Sequence, residues 1–195
     1  MSLRLVHLTL PACVATLLLS GVCGVTYSSP PLYSLAYSTK ITEANWRSHP
    51  KIKAIDQVVK SIDLGLKKRV FKSYSRSLDC GDWSEVKRIA RNSNGIGRWY
   101  EDYSEGQDSS TNLRYYYDDA GQLRFVLAFA RSANGTREQL RLYFDKSGKR
   151  IWQNHIVKGL GCPGCFSAYL DSDNAIAFKA NKAFAANEGC KPIKP

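Results

Sequence analysis

Residues 113–125, LRYYYDDAGQLRF, and residues 140–152, LRLYFDKSGKRIW, repeat one phrase at an offset of 27 positions. Each copy is an apolar and aromatic run, then Asp-x-x-Gly, then a second such run. Asp at the start of such a spacer bonds its own backbone two residues on, and Gly accepts a positive φ, so the spacer reads as a tight turn. Aromatic and β-branched residues favour the pleated surface on either side. The phrase therefore dictates consecutive antiparallel hairpins. It dictates no chemistry.

Turn geometry sets an expected register. A two-residue type I′ loop at Asn134-Gly135 puts Phe129 opposite Leu140, Leu127 opposite Leu142 and Phe125 opposite Phe144. A three-residue loop Asp119-Ala120-Gly121 with Gly121 left-handed puts Leu123 opposite Tyr117, Phe125 opposite Tyr115 and Leu127 opposite Leu113. Lys146-Ser147-Gly148, treated alike, puts Leu142 opposite Trp152. Directly opposed residues share a face, and a slip of one residue turns the set over. The expected inner face is then Leu113, Tyr115, Tyr117, Leu123, Phe125, Leu127, Phe129, Leu140, Leu142, Phe144 and Trp152. The expected outer face carries Arg114, Tyr116, Arg124, Arg141 and Tyr143.

Upstream, Asn94-Gly95 joins 86–90 to 97–103 as a further hairpin, and residues 68–80 read as a strand ending at Cys80. Ser48 is a competent N-cap and Pro50 fits a first helical turn. Ile52, Ile55, Val58, Val59, Ile62 and Leu66 recur at helical spacing, so 48–66 is an amphipathic helix ending near Gly65, with His49 solvated in its first turn. Downstream, 159–165 is a loop, Asp173 caps an Ala-rich helix running to Ala186, and Gly189 stops it. The fold class is α+β: one amphipathic helix on an antiparallel meander of about six strands spanning 68–158, followed by a disulfide-stapled loop and short helix.

The first residues suggest export. Arg4 is the sole charged residue ahead of the run Leu5–Val25, which carries none. That is the form of a signal peptide, with cleavage expected after Gly24. The run is also long enough for an uncleaved anchor, and Leu10-Pro11-Ala12-Cys13 has the look of a lipidation box with too short an apolar lead. Cleavage ranks first, anchoring second and lipidation third, and each places the body in the periplasm or outside the cell. The expected organisation is 1–24 signal peptide or anchor, 25–47 a flexible Ser/Tyr/Pro linker, and 48–195 a single domain. Loss of Arg4 would bring the net charge from +11 to +10.

Cleavage also removes Cys13 and Cys23 and leaves Cys80, Cys162, Cys165 and Cys190, an even set that suits disulfides in an exported chain. Cys162-Pro163-Gly164-Cys165 fits a type II turn, whose ends lie within ~7 Å, within reach of a disulfide. The staple reading, with these two bonded to each other or to Cys80 and Cys190, outweighs a redox dithiol, because glycines flank the motif and no helix starts there. A four-cysteine zinc site would want a second close pair. Neither a metal nor another cofactor is implied.

His7, His49 and His155 have no partner at a recognisable spacing, and GxSxG, HExxH, GxGxxG and Walker patterns are absent. Asp118, Asp119, Asp171 and Asp173 read first as turn and cap residues. Asn134-Gly135-Thr136 is a glycosylation sequon, and the hairpin alone accounts for it. The expected function is a non-enzymatic cell-envelope module. It binds an acidic protein or an anionic envelope polymer through Arg114, Tyr116, Arg124, Arg141 and Tyr143, with Lys67-Lys68-Arg69 adding to the patch. Nucleic acid is not an expected partner, and contact with a membrane is expected only through an uncleaved N-terminus. The alternatives are a thiol–disulfide protein using Cys162 and Cys165, and a hydrolase with scattered catalytic residues.

Overall fold

The computed structural model describes residues 40–160, 166–187 and 190–193. The expected signal segment and the Cys162/Cys165 motif lie outside them. Helix α1 spans Pro50–Lys67, and seven strands follow: β1 Lys72–Asp79, β2 Trp83–Arg91, β3 Gly97–Gly106, β4 Ser109–Tyr117, β5 Leu123–Ser132, β6 Arg137–Phe144 and β7 Arg150–Lys158. Short helices α2, Ser167–Asp171, and α3, Ala180–Ala185, precede a two-residue strand β8, Lys191–Pro192. One antiparallel sheet holds all the strands in the order β7-β6-β5-β4-β3-β2-β1-β8. The architecture is α+β, with two strands more than the sequence suggested.

One loop design recurs four times. The backbone N–H groups of Asn92, Asp118, Ser132 and Asp145 donate to the carbonyls of Ile96, Gln122, Thr136 and Lys149, and each accepts from the glycine three residues on. Gly95, Gly121, Gly135 and Gly148 all have positive φ. Asp118 Oδ1 also accepts from the amides of Ala120 and Gln122, and Asp145 Oδ1 from those of Ser147 and Lys149, so the carboxylate fixes the turn from inside. Ala133-Asn134-Gly135 is thus a three-residue loop, not the two-residue type I′ turn expected. The register becomes Phe125↔Tyr143, Val126↔Leu142 and Ala128↔Leu140.

A β-bulge follows each of the other three loops. Tyr117 pairs with Leu123 but Tyr116 with Phe125, and Phe144 pairs with Arg150 but Tyr143 with Trp152. Arg91 likewise pairs with Gly97 and Ala90 with Trp99. Arg98, Arg124 and Ile151 are the extra residues, and each turns the remainder of its strand over. Arg98 Nε donates to the Tyr117 carbonyl at 3.1 Å and Arg124 Nε to the Phe144 carbonyl at 3.2 Å, so both cations tie a bulge to the next hairpin.

The single inner face is therefore corrected: the core has two sides. Leu113, Tyr115, Tyr117, Leu123, Val126, Leu140, Leu142 and Phe144 pack against the C-terminal segment through Phe166, Ile176 and Ala180. Phe125, Leu127 and Trp152 pack with Tyr116 and Tyr143 under α1. Phe129, paired with Asn112 and Gln139, shares this α1 side. Relative to β4 and β6, β5 beyond Leu123 and β7 beyond Arg150 are turned over, so the expected set is divided and only its Phe125, Leu127, Phe129 and Trp152 part lies on the α1 side. The near-continuous apolar run of β5 is what burial on both faces requires.

Three local expectations change as well. His49, not Ser48, caps α1: its Nδ1 accepts from the Lys51 amide at 3.2 Å, and its ring is buried rather than solvated. Gly65 ends no helix, and the Phe71 ring lies 2.5 Å from where its Cβ would be, so only glycine lets the β1 approach close over the last turn. Trp46, 5% exposed, stacks on Trp152 at 6.3 Å, so the end of the expected linker is part of the core. The expected 173–186 helix is reduced to α3, because Ile176 and Phe178 leave helical geometry to pack on the sheet.

Candidate functional site

Strand alternation lays the α1 side of the sheet out as parallel rows. The row nearest the bulges is aromatic: Trp99, Tyr116, Phe125, Tyr143 and Trp152, each directly opposite the next. Phe125 and Tyr143 rings are 4.9 Å apart, and Ile52, Ile55 and Ile62 of α1 cover the row. Tyr116 and Tyr143 are thus buried. Burial lifts both phenols, Tyr143 to about 12, so neither carries charge near neutrality. Arg124 is buried in its bulge, with Asp118 Oδ2 at 3.3 Å from its Nη1. These three of the five expected ligand residues hold the fold and form no outer face.

Arg114 and Arg141 belong to the next row, Arg88–Glu101–Arg114–Leu127–Arg141–Asn154. Glu101 is buried and accepts from Arg114 Nε at 3.0 Å, from Asn112 Nδ2 at 3.1 Å and from Arg88. Burial alone would raise its carboxyl, but these three hydrogen bonds outweigh it and hold the pKa below its usual value. Two guanidiniums around one carboxylate leave a positive excess, and the Arg114 side chain remains 41% exposed.

Farther from α1 the face opens. Tyr103, Asn112 and Phe129 form the following row, and beyond them Arg131, Arg137 and Lys158 lie directly opposite one another on β5, β6 and β7. All three cations are exposed, and none forms a salt bridge among the described residues. Like charges placed directly opposite destabilise a sheet. Tyr103, Ser110, Asn112, Arg114, Phe129 and Arg131 line a concavity of about 410 Å³ here. The site is thus a groove with cations along its side and two aromatic rings in its wall.

The sequence reading placed Arg114 here and missed Arg131, Arg137, Lys158, Tyr103 and Phe129. Arg131 follows the bulge of β5 and Lys158 that of β7, so the expected register set both on the side opposite Arg114. Spacing gives a partial signal: Phe129 and Arg131 alternate toward the loop, and Arg137 follows the loop at once.

The other side of the sheet holds a compact acid–base cluster that the sequence reading did not single out. Lys87 is fully buried, with Nζ 3.2 Å from Glu85 Oε1 and 3.0 Å from the Ala186 carbonyl. Asp102, opposite Lys87, accepts from the Tyr100 hydroxyl at 2.9 Å. Burial first, and then its bond to Glu85, pushes the Asp102 carboxyl up to about 7. Toward the sheet edge, His155 Nε2 lies 2.9 Å from the buried Glu138 carboxylate, and its ring meets Phe166 edge-on.

Cys80 and Cys190 form a disulfide with Cα atoms 4.4 Å apart. The bond uses the two cysteines that a four-cysteine zinc site or a pairing with Cys162 and Cys165 would need, and both of those readings are set aside.

No family model matches the chain, and no curated protein or solved structure matches it.

Proposed function

We propose that this protein is an exported, non-enzymatic module that binds an anionic polysaccharide of the cell envelope in the groove beside Arg114 and Arg131. The observation that carries the reading is the Arg131–Arg137–Lys158 row beside Phe129 and Tyr103. Three unpaired like charges in cross-strand register weaken the sheet, and an anionic ligand reverses that cost. Rings at the same surface suit the faces of sugars, and repeated cations suit a polymer with regularly spaced charge. The Cys80–Cys190 disulfide agrees with an oxidising compartment.

The test uses heparin as the polyanion and poly-glutamate as an acidic polypeptide of comparable charge. Heparin should bind with an affinity that falls steeply as salt rises. Arg131→Glu with Arg137→Glu should abolish binding, whereas Lys51→Glu with Lys60→Glu, an equal charge change on the exposed side of α1, should leave most of it. Equal loss in the two double variants, or tighter binding of poly-glutamate than of heparin, contradicts the proposal.

A further inference from the structure

The C-terminal segment crosses the other side of the sheet as a strap. At one end Arg150 bonds the Asp173 carboxylate and the Leu170 carbonyl. At the other, Arg76 and Lys87 bond the Ala186 carbonyl, and the Cys80–Cys190 disulfide follows. Between these pins the Tyr117 hydroxyl donates to the Ala177 carbonyl. A cleft of about 500 Å³ lies between strap and sheet. Tyr100, Asp102 and Tyr115 line it from the sheet, and Tyr169, Lys179 and Lys182 from the strap.

Two features of this cleft point to a ligand. Glu85 and Asp102 share one buried cation, Lys87, so one proton keeps the carboxyl pair near neutrality. The Tyr115 side chain is 3% exposed, yet its hydroxyl makes no hydrogen bond among the described residues. Burial raises its pKa well above the usual value, so it stays a neutral donor and acceptor. Its ring is 5.5 Å from that of Tyr100.

We propose that this cleft binds a small zwitterion of the amino-acid class, its ammonium between Asp102 and the Tyr115 hydroxyl and its carboxylate at Lys179 and Lys182. An ammonium has three donors and no acceptor. The sheet side of the cleft offers it a carboxylate, a phenol oxygen and two ring faces. It supplies the charge that Glu85 and Asp102 otherwise obtain from a proton. The two exposed lysines on the strap disfavour a bare cation and suit a carboxylate at the other end of the same molecule. The volume suits an amino acid or a dipeptide. The titratable groups around Asp102 are Glu85 and Lys87 from β2, Tyr100 from β3, Tyr115 from β4, Tyr169 from α2 and the two strap lysines. Among these, Asp102 titrates near neutrality, so affinity should follow its ionisation.

Calorimetric titration of the full-length protein with three probes of equal body tests this: phenylalanine, phenethylamine and 3-phenylpropanoate. At pH 8 phenylalanine should bind at least tenfold more tightly than phenethylamine, and 3-phenylpropanoate should not bind. Phenylalanine affinity should fall about tenfold between pH 8 and pH 6, the factor that a carboxyl titrating near 7 imposes. Tyr115→Phe should weaken both amines without lowering the melting temperature, because it removes a hydroxyl that has no partner. Lys179→Ala with Lys182→Ala should weaken phenylalanine and leave phenethylamine unchanged. Binding of 3-phenylpropanoate as tight as phenylalanine overturns the proposal, as does an unaffected Tyr115→Phe variant or binding of neither amine. Stronger phenethylamine binding by the double lysine variant also overturns it, since that would make a strap lysine the natural occupant of the Asp102 site.

Discussion

Phe125 and Val126 are sequence neighbours on β5, and both are buried, at 5% and 0% exposure, on opposite sides of the sheet. Truncating either should therefore be costly. Phe125→Ala empties the space between Tyr116 and Tyr143, whose rings lie 5.7 and 4.9 Å from that of Phe125. Phe→Ala in a core costs about 3–5 kcal/mol. Val126→Ala removes two methyl groups from the cluster beneath Ile176, about 1.6 kcal/mol of transfer at 0.8 per carbon plus a cavity term, so about 2 kcal/mol in all. At roughly 2–4 °C per kcal/mol for a domain of this size, melting temperatures should fall by roughly 6–20 °C and 4–8 °C. Urea unfolding at constant m-value gives the free energies directly. A sheet with one solvated face would expose one of these two neighbours, and that variant would stay within about 0.5 kcal/mol of wild type. Such a result for either residue refutes the two-sided core.

Two further outcomes follow from the buried polar groups and the disulfide. The Asp102 carboxyl is raised in the fold to about 7 from an ordinary value near 3.8, so the folded state holds an extra proton between those values. Stability should therefore be fullest below about pH 4 with respect to this group and decline as pH rises toward 7, at roughly 1.4 kcal/mol per unit at most. Asp102→Asn should flatten that slope in pH-dependent urea titrations, and an unchanged slope would remove the Asp102–Glu85 proton from the account. Glu101 acts in the opposite sense, since its lowered pKa contributes stability that is lost in acid. Cys80 and Cys190 close a loop with a sequence separation of 110, for which chain entropy gives up to about 4.7 kcal/mol. Cys80→Ala with Cys190→Ala should cost about 2–5 kcal/mol by denaturant titration, and a loss under 1 kcal/mol would show the C-terminal strap held by its other contacts alone.

What could be read from the sequence was local. The Asp-x-x-Gly phrase gave the turns at Asp118 and Asp145 with their left-handed glycines, and the three- and four-residue spacing of isoleucines gave α1. The bulges were not legible. Arg98, Arg124 and Ile151 each sit inside a run that alternates acceptably in either register, and nothing in their chemistry marks an inserted residue. One such residue turns a strand over, so Phe125 and Trp152 lie under α1 while Tyr117 and Leu140 face the C-terminal strap. The candidate site inherited this error. Arg114 shares the α1 side with Tyr116 and Tyr143 but lies one row farther along the sheet, so it lines the groove while the two tyrosines are covered by the helix. Glu85, Lys87 and Asp102 are polar residues on strands, and nothing in the local pattern marks them out. Their burial follows only from the C-terminal strap, whose helical content is too short to announce itself by period.

Proton–proton contacts in solution test the layout most directly. The Phe125 ring should show strong nuclear Overhauser contacts to the Tyr143 ring, 4.9 Å away between centroids, while the Phe144 ring contacts Phe178 at 5.5 Å. Contacts from Phe125 to Phe144, with none to Tyr143, would restore the single-faced register and remove both the cationic groove and the cleft beneath the strap.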